Sequence, residues 1–213
     1  MYLGVDIGGT DIKFGVVNAE GRIVARAAVP TPKTSAEAVA DAVAAGVKQL
    51  SAAFPAETVG VGTPGIVTPD GRVSAANLPF ADTPLADLIA ARIGRTAVLG
   101  NDANCAALGE AAAGGEDDLL LVTLGTGVGG GIVTGGKPVV GAHGGAGEIG
   151  HMCIRVGGRA CPCGKRGCFE QYASASALTA AAKAAAAAHP DSLLAAYAKD
   201  GMDGKVFFRA VAD

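Results

Sequence analysis

Between residues 151 and 168 the chain reads HMCIRVGGRACPCGKRGC, which sets one imidazole and three thiols at the spacing His151-x9-Cys161-x-Cys163-x4-Cys168. A single tetrahedral ion can collect four such groups, and Zn²⁺ favours this nitrogen and sulfur set in closed structural sites. Glycines at 157, 158, 164 and 167 give the backbone room to turn around the ion. The competing reading is a group of buried thiols or a disulfide. Cys161 and Cys163 are too close in sequence to bridge each other easily, however, and nothing marks the chain for secretion. A structural zinc held by His151, Cys161, Cys163 and Cys168 is therefore the expectation. Cys105 and Cys153 are left over and read as small buried hydrophobes.

Two glycine-rich loops have the composition to hold phosphate. In Asp6-Ile7-Gly8-Gly9-Thr10-Asp11-Ile12-Lys13, the residues Gly8, Gly9 and Thr10 sit in a tight turn between two apolar stretches, where successive backbone N–H groups can form an anion nest. Lys13 adds a positive charge, and Asp6 at a strand end can hold a hydrated Mg²⁺ beside a polyphosphate. A plain glycine hairpin is the alternative for this segment alone. Gly125, Thr126 and Gly127, in LGTGVGGG, repeat the same chemistry later in the chain. That second loop also satisfies G-x-G-x-x-G, but a β-hairpin follows it where a dinucleotide fingerprint needs a helix. Two such loops suit a nucleotide clamped between two related domains.

Phosphoryl transfer to an alcohol needs an acceptor for the hydroxyl proton, held in line with the phosphate. Asp102, in the run Asn101-Asp102 at a strand end, is the candidate base, although an aspartate at a helix start also reads as a cap. Glu148 and Glu170 flank the cysteine segment. Each suits a pair of sugar hydroxyls, and each alone would also suit a solvated surface. If one ring nitrogen of His151 binds zinc, the other carries a proton and can donate to substrate.

The elements that must position these residues are legible in outline. Residues 2–7, 12–17 and 22–29 read as antiparallel strands, and a helix spans 36–54 with Thr34 and Glu37 at capping-box spacing. A buried strand follows at 58–62. A short helix begins at Thr83-Pro84, with Thr83 as cap, and stops at Gly94. A strand at 97–99 then feeds a helix over 103–113. The polar run 114–118 marks a boundary between a domain of residues 1–117 and one of 118–213, because strands at 119–124 and 132–134 around a glycine turn restart the opening pattern. Helices are expected at 177–188, with Ser174 or Ser176 as cap, and near 193–198 and 206–211.

Half the residues are apolar, only 17% are charged and the net charge is -3, so the chain offers no general attraction to nucleic acid or acidic membranes. With no signal-like segment and no apolar run long enough to span a bilayer, a cytoplasmic location is expected.

Taken in order, DIGGTDIK, VGTPGIV at 61–67, NDAN at 101–104, LGTGVGGG, GEIGH at 147–151 and CPCGKRGCFEQYAS at 161–174 resemble the ROK family of sugar kinases and sugar-responsive repressors. The resemblance implies an α/β fold of the actin-like ATPase (ribonuclease H-like) type, with two domains and a cleft for sugar and ATP. It implies Asp102 as catalytic base and Asn101, Glu148, His151 and Glu170 as sugar ligands. Gly65 and Asn77 would line the same sugar site, and the two glycine loops would be the phosphate-1 and phosphate-2 segments. Zinc would take His151 and the three cysteines. Family members continue past the helix near residues 205–211 into an adenosine loop and a closing helix, so this chain is expected to carry an incomplete second domain. The activity implied is ATP- and Mg²⁺-dependent phosphorylation of a hexose, glucose at the C6 hydroxyl first, with N-acetylmannosamine or fructose as alternatives. An inactive zinc-stabilised sugar-binding fragment is a further alternative. A repressor is disfavoured because no helix-turn-helix precedes Tyr2. The expected partners are a hexose and ATP, with no nucleic acid and no membrane; a homo-oligomer, and polyphosphate as donor, stay open.

Overall fold

The computed structural model describes residues 1–212. The opening meander forms as β1 (Tyr2–Ile7), β2 (Asp11–Val17) and β3 (Ile23–Pro30). Strict alternation buries Leu3, Val5 and Ile7 from β1 and Ile12, Phe14 and Val16 from β2 on one face. Helix α1 (Ala36–Ser51) covers that face with Val39, Val43 and Val47, whose spacing keeps them on one stripe. Its cap is Ser35 rather than Thr34. Ser35 takes the extended conformation that a residue before the first turn needs, and its hydroxyl accepts from Ala38 N at 3.1 Å. The helix also ends earlier than Phe54, because Ala53 and Phe54 both turn their N–H groups back onto the Leu50 carbonyl.

The chain returns as β4 (Thr58–Thr63), parallel to β1. A small antiparallel sheet follows, made of β5 (Ile66–Val67), β6 (Val73–Ala75) and β7 (Phe80–Thr83). Strands of two to four residues are too short to show alternation, so the sequence pattern missed them. Helix α2 (Leu85–Ile93) comes next, and Pro84, not Thr83, holds its cap position. Thr83 is committed to β7, where it pairs with Val73 and its hydroxyl accepts from Ala81 N. β8 (Thr96–Asn101) lies parallel to β4 and completes a five-stranded sheet of order β3-β2-β1-β4-β8. Helix α3 (Asp102–Gly114) starts where β8 stops. β9 (Leu119–Leu124), β10 (Val128–Thr134) and β11 (Lys137–Pro138) form a third sheet of order β11-β10-β9. A 3-10 turn covers Ile149–His151, and four helices finish the chain: α4 (Glu170–Ala173), α5 (Ala175–Ala188), α6 (Leu193–Tyr197) and α7 (Gly204–Ala212).

The chain divides into two compact units, one of residues 1–121 and 131–147, the other of 122–130 and 148–213. This differs from a single boundary after Asp117. The reason is a small core of Ala107, Ala111 and Val133 with Leu119 and Leu121, which fastens the base of the β9–β10 hairpin to α3. The first unit's main core is the apolar face between its large sheet and helices α1 and α2. The second unit's only buried cluster among the described residues is Ala182, Ala186 and Met202, packed by α5, α6 and α7. No helix of the described residues is long and apolar enough to cross a membrane.

Helix α1 approaches β2 so closely that a Cβ on Gly46 would lie 2.7 Å from Cε2 of the Phe14 ring. Gly46→Val should therefore destabilise the protein by about 1–3 kcal/mol through overpacking. Gly109 on α3 faces open space, and Gly109→Ala should stabilise by about 0.5–1 kcal/mol. Urea denaturation of the two variants beside wild type checks both signs.

Candidate active site

In the first unit the carboxylates gather where β1, β4 and β8 end side by side. Asp6 faces Gly62 across the parallel β1–β4 pair and Lys13 across the β1–β2 hairpin, while Thr63 faces Asn101. Asp102 follows at once. Although Asp6 keeps exposed surface, the atoms crowded around its carboxyl desolvate it and raise its pKa; Lys13 opposes the shift and the charge of Asp102 adds to it. The two acids thus feel each other's charge.

Asn101, rather than Asp102, is the helix cap. Its Oδ1 accepts from Ala103 N at 3.0 Å and Asn104 N at 3.2 Å, and its Nδ2 donates to the Gly65 carbonyl at 3.0 Å. Asp102 occupies the first turn, exposed, with Oδ1 accepting from Ala103 N at 2.9 Å. The carboxylate is therefore not needed as the cap. Gly65 adopts φ +94°, and a Cβ there would stand 2.8 Å from the Ala75 Cβ, so only glycine fits under the small sheet. Asn77 sits exposed in the turn between β6 and β7. Behind Asn101, a 390 Å³ cavity runs along the outer edge of β8 and is lined in part by Asn104, whose buried Oδ1 has no hydrogen-bond partner.

The Gly8-Gly9-Thr10 turn is fastened from outside the hairpin. Gly8 N donates to Asp11 O at 3.0 Å, Thr31 Oγ1 donates to Gly8 O at 2.8 Å, and Thr31 N donates to Thr10 O at 2.8 Å. Lys33 Nζ donates to Gly9 O. The carbonyls of Gly8, Gly9 and Thr10 are thereby engaged by the segment that follows β3. Lys33 and Thr31 escaped sequence reasoning because they lie more than twenty residues from the loop they hold.

In the second unit the Gly125-Thr126-Gly127 turn closes with Gly125 N donating to Gly127 O at 3.0 Å. A 410 Å³ recess beside Thr126 is lined by Ser176, Thr179 and Lys183 of α5. None of those three residues stood in a recognisable motif.

His151, Cys161, Cys163 and Cys168 offer four ligand atoms that all lie within 4.8 Å of one another. Cys161 Sγ stands 3.8 Å from His151 Nδ1, and Cys163 Sγ 3.7 Å from Cys168 Sγ. Tetrahedral zinc with Zn–S near 2.3 Å demands ligand separations of about 3.8 Å, so the donor set and its size fit that ion. Gly164, at φ +87°, lets the chain reverse, with Gly164 N donating to Cys161 O and Cys161 N to Lys165 O. Burial pushes the Cys161 thiol up to about 12 and raises that of Cys168, whereas the backbone N–H of Lys165 lowers that of Cys163. Cys105 and Cys153, expected to be buried, are both exposed. Cys105 stands over Gly62 and Gly100 on the first turn of α3, and Cys153 lies on the outer side of the cysteine segment, so neither reaches a core.

The sugar-type ligands of this unit surround the imidazole. Glu148 Oε2 lies 3.9 Å from His151 Nε2, and Glu170 Oε1 lies 3.9 Å from Nδ1. Nδ1 faces the Cys161 thiol and Nε2 faces Glu148. Glu170 is mostly buried rather than a solvated surface acid, and its Oε1 accepts from Gln171 Nε2 and Cys161 Sγ, each at 3.1 Å. Arg159 clasps α4: its N–H meets the Tyr172 hydroxyl at 2.9 Å, its guanidinium donates to Gln171 O, and its charge lies 4.9 Å from the Tyr172 ring centre.

A mixed sheet of order β3-β2-β1-β4-β8 that opens on a glycine hairpin, followed by a second glycine hairpin, defines the actin-like ATPase class of fold. Within that class the chain belongs to the ROK family, whose model matches residues 2–213. It is 41% identical over 215 residues to a glucokinase of Streptomyces coelicolor, covering 96% of this chain and 68% of that protein. It is 43% identical over 193 residues to an N-acetyl-D-glucosamine kinase of Salmonella newport, covering 82% of this chain and 63% of the relative. Among solved structures it is similar to the ROK family glucokinase of Streptomyces griseus in complex with glucose and AMPPNP, with a TM-score of 0.86 and 42% identity over 99% of this chain and 70% of that one.

Because its pKa is raised in the folded state, Asp6 contributes stability that is full below the ordinary carboxylate value of 3.8 and is lost as pH rises through the folded value. Asp6→Asn should accordingly raise the melting temperature at neutral pH, with the gain vanishing below about pH 4. Melting curves from pH 3.5 to 8 check the sign.

Proposed function

We propose that the chain catalyses ATP-dependent phosphorylation of a hexose, with glucose as substrate and its C6 hydroxyl as acceptor. The observation that carries this reading is the meeting, within the first unit, of Asp102, Asp6 and the Gly8–Thr10 turn, which supports a proton acceptor set beside a phosphate cradle. The glucokinase relatives support glucose. A second reading, a 2-acetamido hexose, has its own support in the N-acetyl-D-glucosamine kinase relative of similar identity.

Within the first unit Asp102 is the proposed base and the Gly8–Thr10 turn a proposed phosphate loop; within the second, Glu148, His151 and Glu170 are the proposed sugar ligands and Gly125–Gly127 a proposed phosphate loop. The glutamates accept hydrogen bonds from paired sugar hydroxyls, and the Nε2 side of His151 meets a third. In the first unit Asn101, Gly65 and Asn77 are the residues proposed for sugar contact, Asn101 chiefly by holding the Gly65 carbonyl in place. The C6 oxygen attacks the γ-phosphorus, its proton passes to Asp102, and the bond from the γ-phosphorus to the bridging oxygen breaks to leave ADP. In the first unit the backbone N–H groups of Gly9 and Thr10, with Lys13, are proposed to face phosphate oxygens, and in the second unit those of Thr126 and Gly127. Asp6 would hold a hydrated Mg²⁺ bound with the nucleotide, which would supply charge neutralisation to the polyphosphate. Zinc at the four-ligand cluster is structural in this reading, since four protein ligands leave no open position for substrate.

An ADP-release assay across a panel of hexoses, run beside a glucose titration, tests the proposal. Turnover with glucose supports it, turnover confined to 2-acetamido sugars supports the second reading, and binding without turnover supports a sugar-binding fragment. Asp102→Asn should keep glucose affinity nearly intact and lower turnover by roughly 10²-fold or more; near-native turnover would make Asp102 a first-turn acid only. Cys163→Ser removes a metal ligand that touches no proposed sugar ligand. Its zinc content should fall, residues 148–172 should become sensitive to protease and glucose binding should be lost, and a metal-free variant that still bound glucose natively would remove zinc from the scheme.

A further inference from the structure

We propose that Gly127 positions the sugar as well as the phosphate, because the space left by its missing side chain seats the Glu170 carboxylate. This rests on the sugar role proposed for Glu170. An ideal Cβ on Gly127 would lie 2.9 Å from Glu170 Oε2, closer than carbon and oxygen in van der Waals contact can come. The two oxygens of that carboxylate thus have different neighbours. Oε1 is fixed by Gln171 Nε2 and Cys161 Sγ, and Oε2 is backed against the glycine turn.

Two further contacts make the turn and the sugar-ligand elements one piece. Ala175 N, just after α4, donates to Gly125 O at 2.8 Å. On the other side Gly150, inside the 3-10 turn that carries His151, packs on Val128 so closely that a Cβ would overlap the Val128 carbonyl. The glycine turn is thus flanked by the element bearing Glu170 and by the element bearing His151 and Glu148. Gly127 shows no positive φ, so its backbone would accept alanine. A methyl group there displaces the end of a flexible side chain, not the fold. The Glu170 carboxylate moves, and the sugar hydroxyls it accepts from lose their partner.

Gly109 on α3, which has no proposed binding role, provides the control: a Cβ there meets nothing within 4 Å, and its φ is not positive either. Gly127→Ala should weaken glucose binding by about tenfold or more in the absence of nucleotide, the loss expected for a hydrogen bond to a charged group. Gly109→Ala should leave glucose affinity within about twofold of wild type, as a change that shares no contact with Glu170 does. Glu170→Asp, one methylene shorter, should cost glucose affinity in wild type and cost less in the Gly127→Ala background, since the shorter acid makes room for the methyl group. Calorimetry with glucose alone, with zinc content and melting temperature recorded for each variant, reads wild type and the four variants. A wild type that binds no hexose would sink the proposed function itself. If wild type binds glucose and Gly127→Ala binds it equally well, or if the double variant is strictly additive, the positioning role is overturned. Should Gly127→Ala lose zinc or melt much earlier, the double-variant comparison with Glu170→Asp still decides, because misfolding gives no selective rescue.

Discussion

The arrangement of residues 148–172 depends on the convergence of His151, Cys161, Cys163 and Cys168. None of the buried apolar clusters of the described residues includes a member of that stretch. No apolar cluster anchors it. Its contacts are turn hydrogen bonds, the Arg159–Tyr172 clasp, the close approach of Gly150 to Val128 and the four facing ligand atoms. A bound tetrahedral ion replaces weak thiol contacts by strong bonds, and such ions contribute folding free energy directly. Glu148, His151 and Glu170 take their positions from this segment, so the proposed sugar grip inherits its order from the cluster.

The first unit works on the opposite principle. Its sheet buries one continuous apolar face under α1 and α2, and the chemistry is placed at strand ends by register alone. Parallel pairing of β1, β4 and β8 brings Asp6, Thr63 and Asn101 to neighbouring ends, from which Asp102 opens α3. Holding Asp6 there raises its pKa, which is a cost in stability that a purely structural site would not retain. A desolvated carboxylate beside a glycine turn and a second acid supports the phosphate and cation role proposed for this end of the sheet.

Glycine serves two distinct purposes in these units. At Gly65 and Gly164 a positive φ is the requirement, and at Gly46, Gly127 and Gly150 it is close approach by a ring, a carboxylate or a carbonyl. The second kind ties separate motifs together, since the atom that fills the space belongs to a different element. The 33 glycines of the chain thus report contact as much as flexibility.

Sequence alone was enough for the long alternating strands, the stripe of α1, the strand–glycine–strand loops and the spacing of the four metal-type ligands, because each is written in local periodicity or in fixed offsets of a few residues. It was also enough for the family, whose motifs occur in order. Tertiary structure alone decided that Ser35 and Asn101 rather than Thr34 and Asp102 cap their helices, since a cap depends on which residue turns extended. It alone revealed the short β5–β7 sheet, the attachment of residues 131–147 to the first unit, and the exposure of Cys105 and Cys153. The hold of Thr31 and Lys33 on the first loop, the clasp of Arg159 on Tyr172, and the seat of Glu170 against Gly127 belong to the same group. Each joins residues that share no local pattern, and only the folded chain brings their atoms within bonding or contact distance.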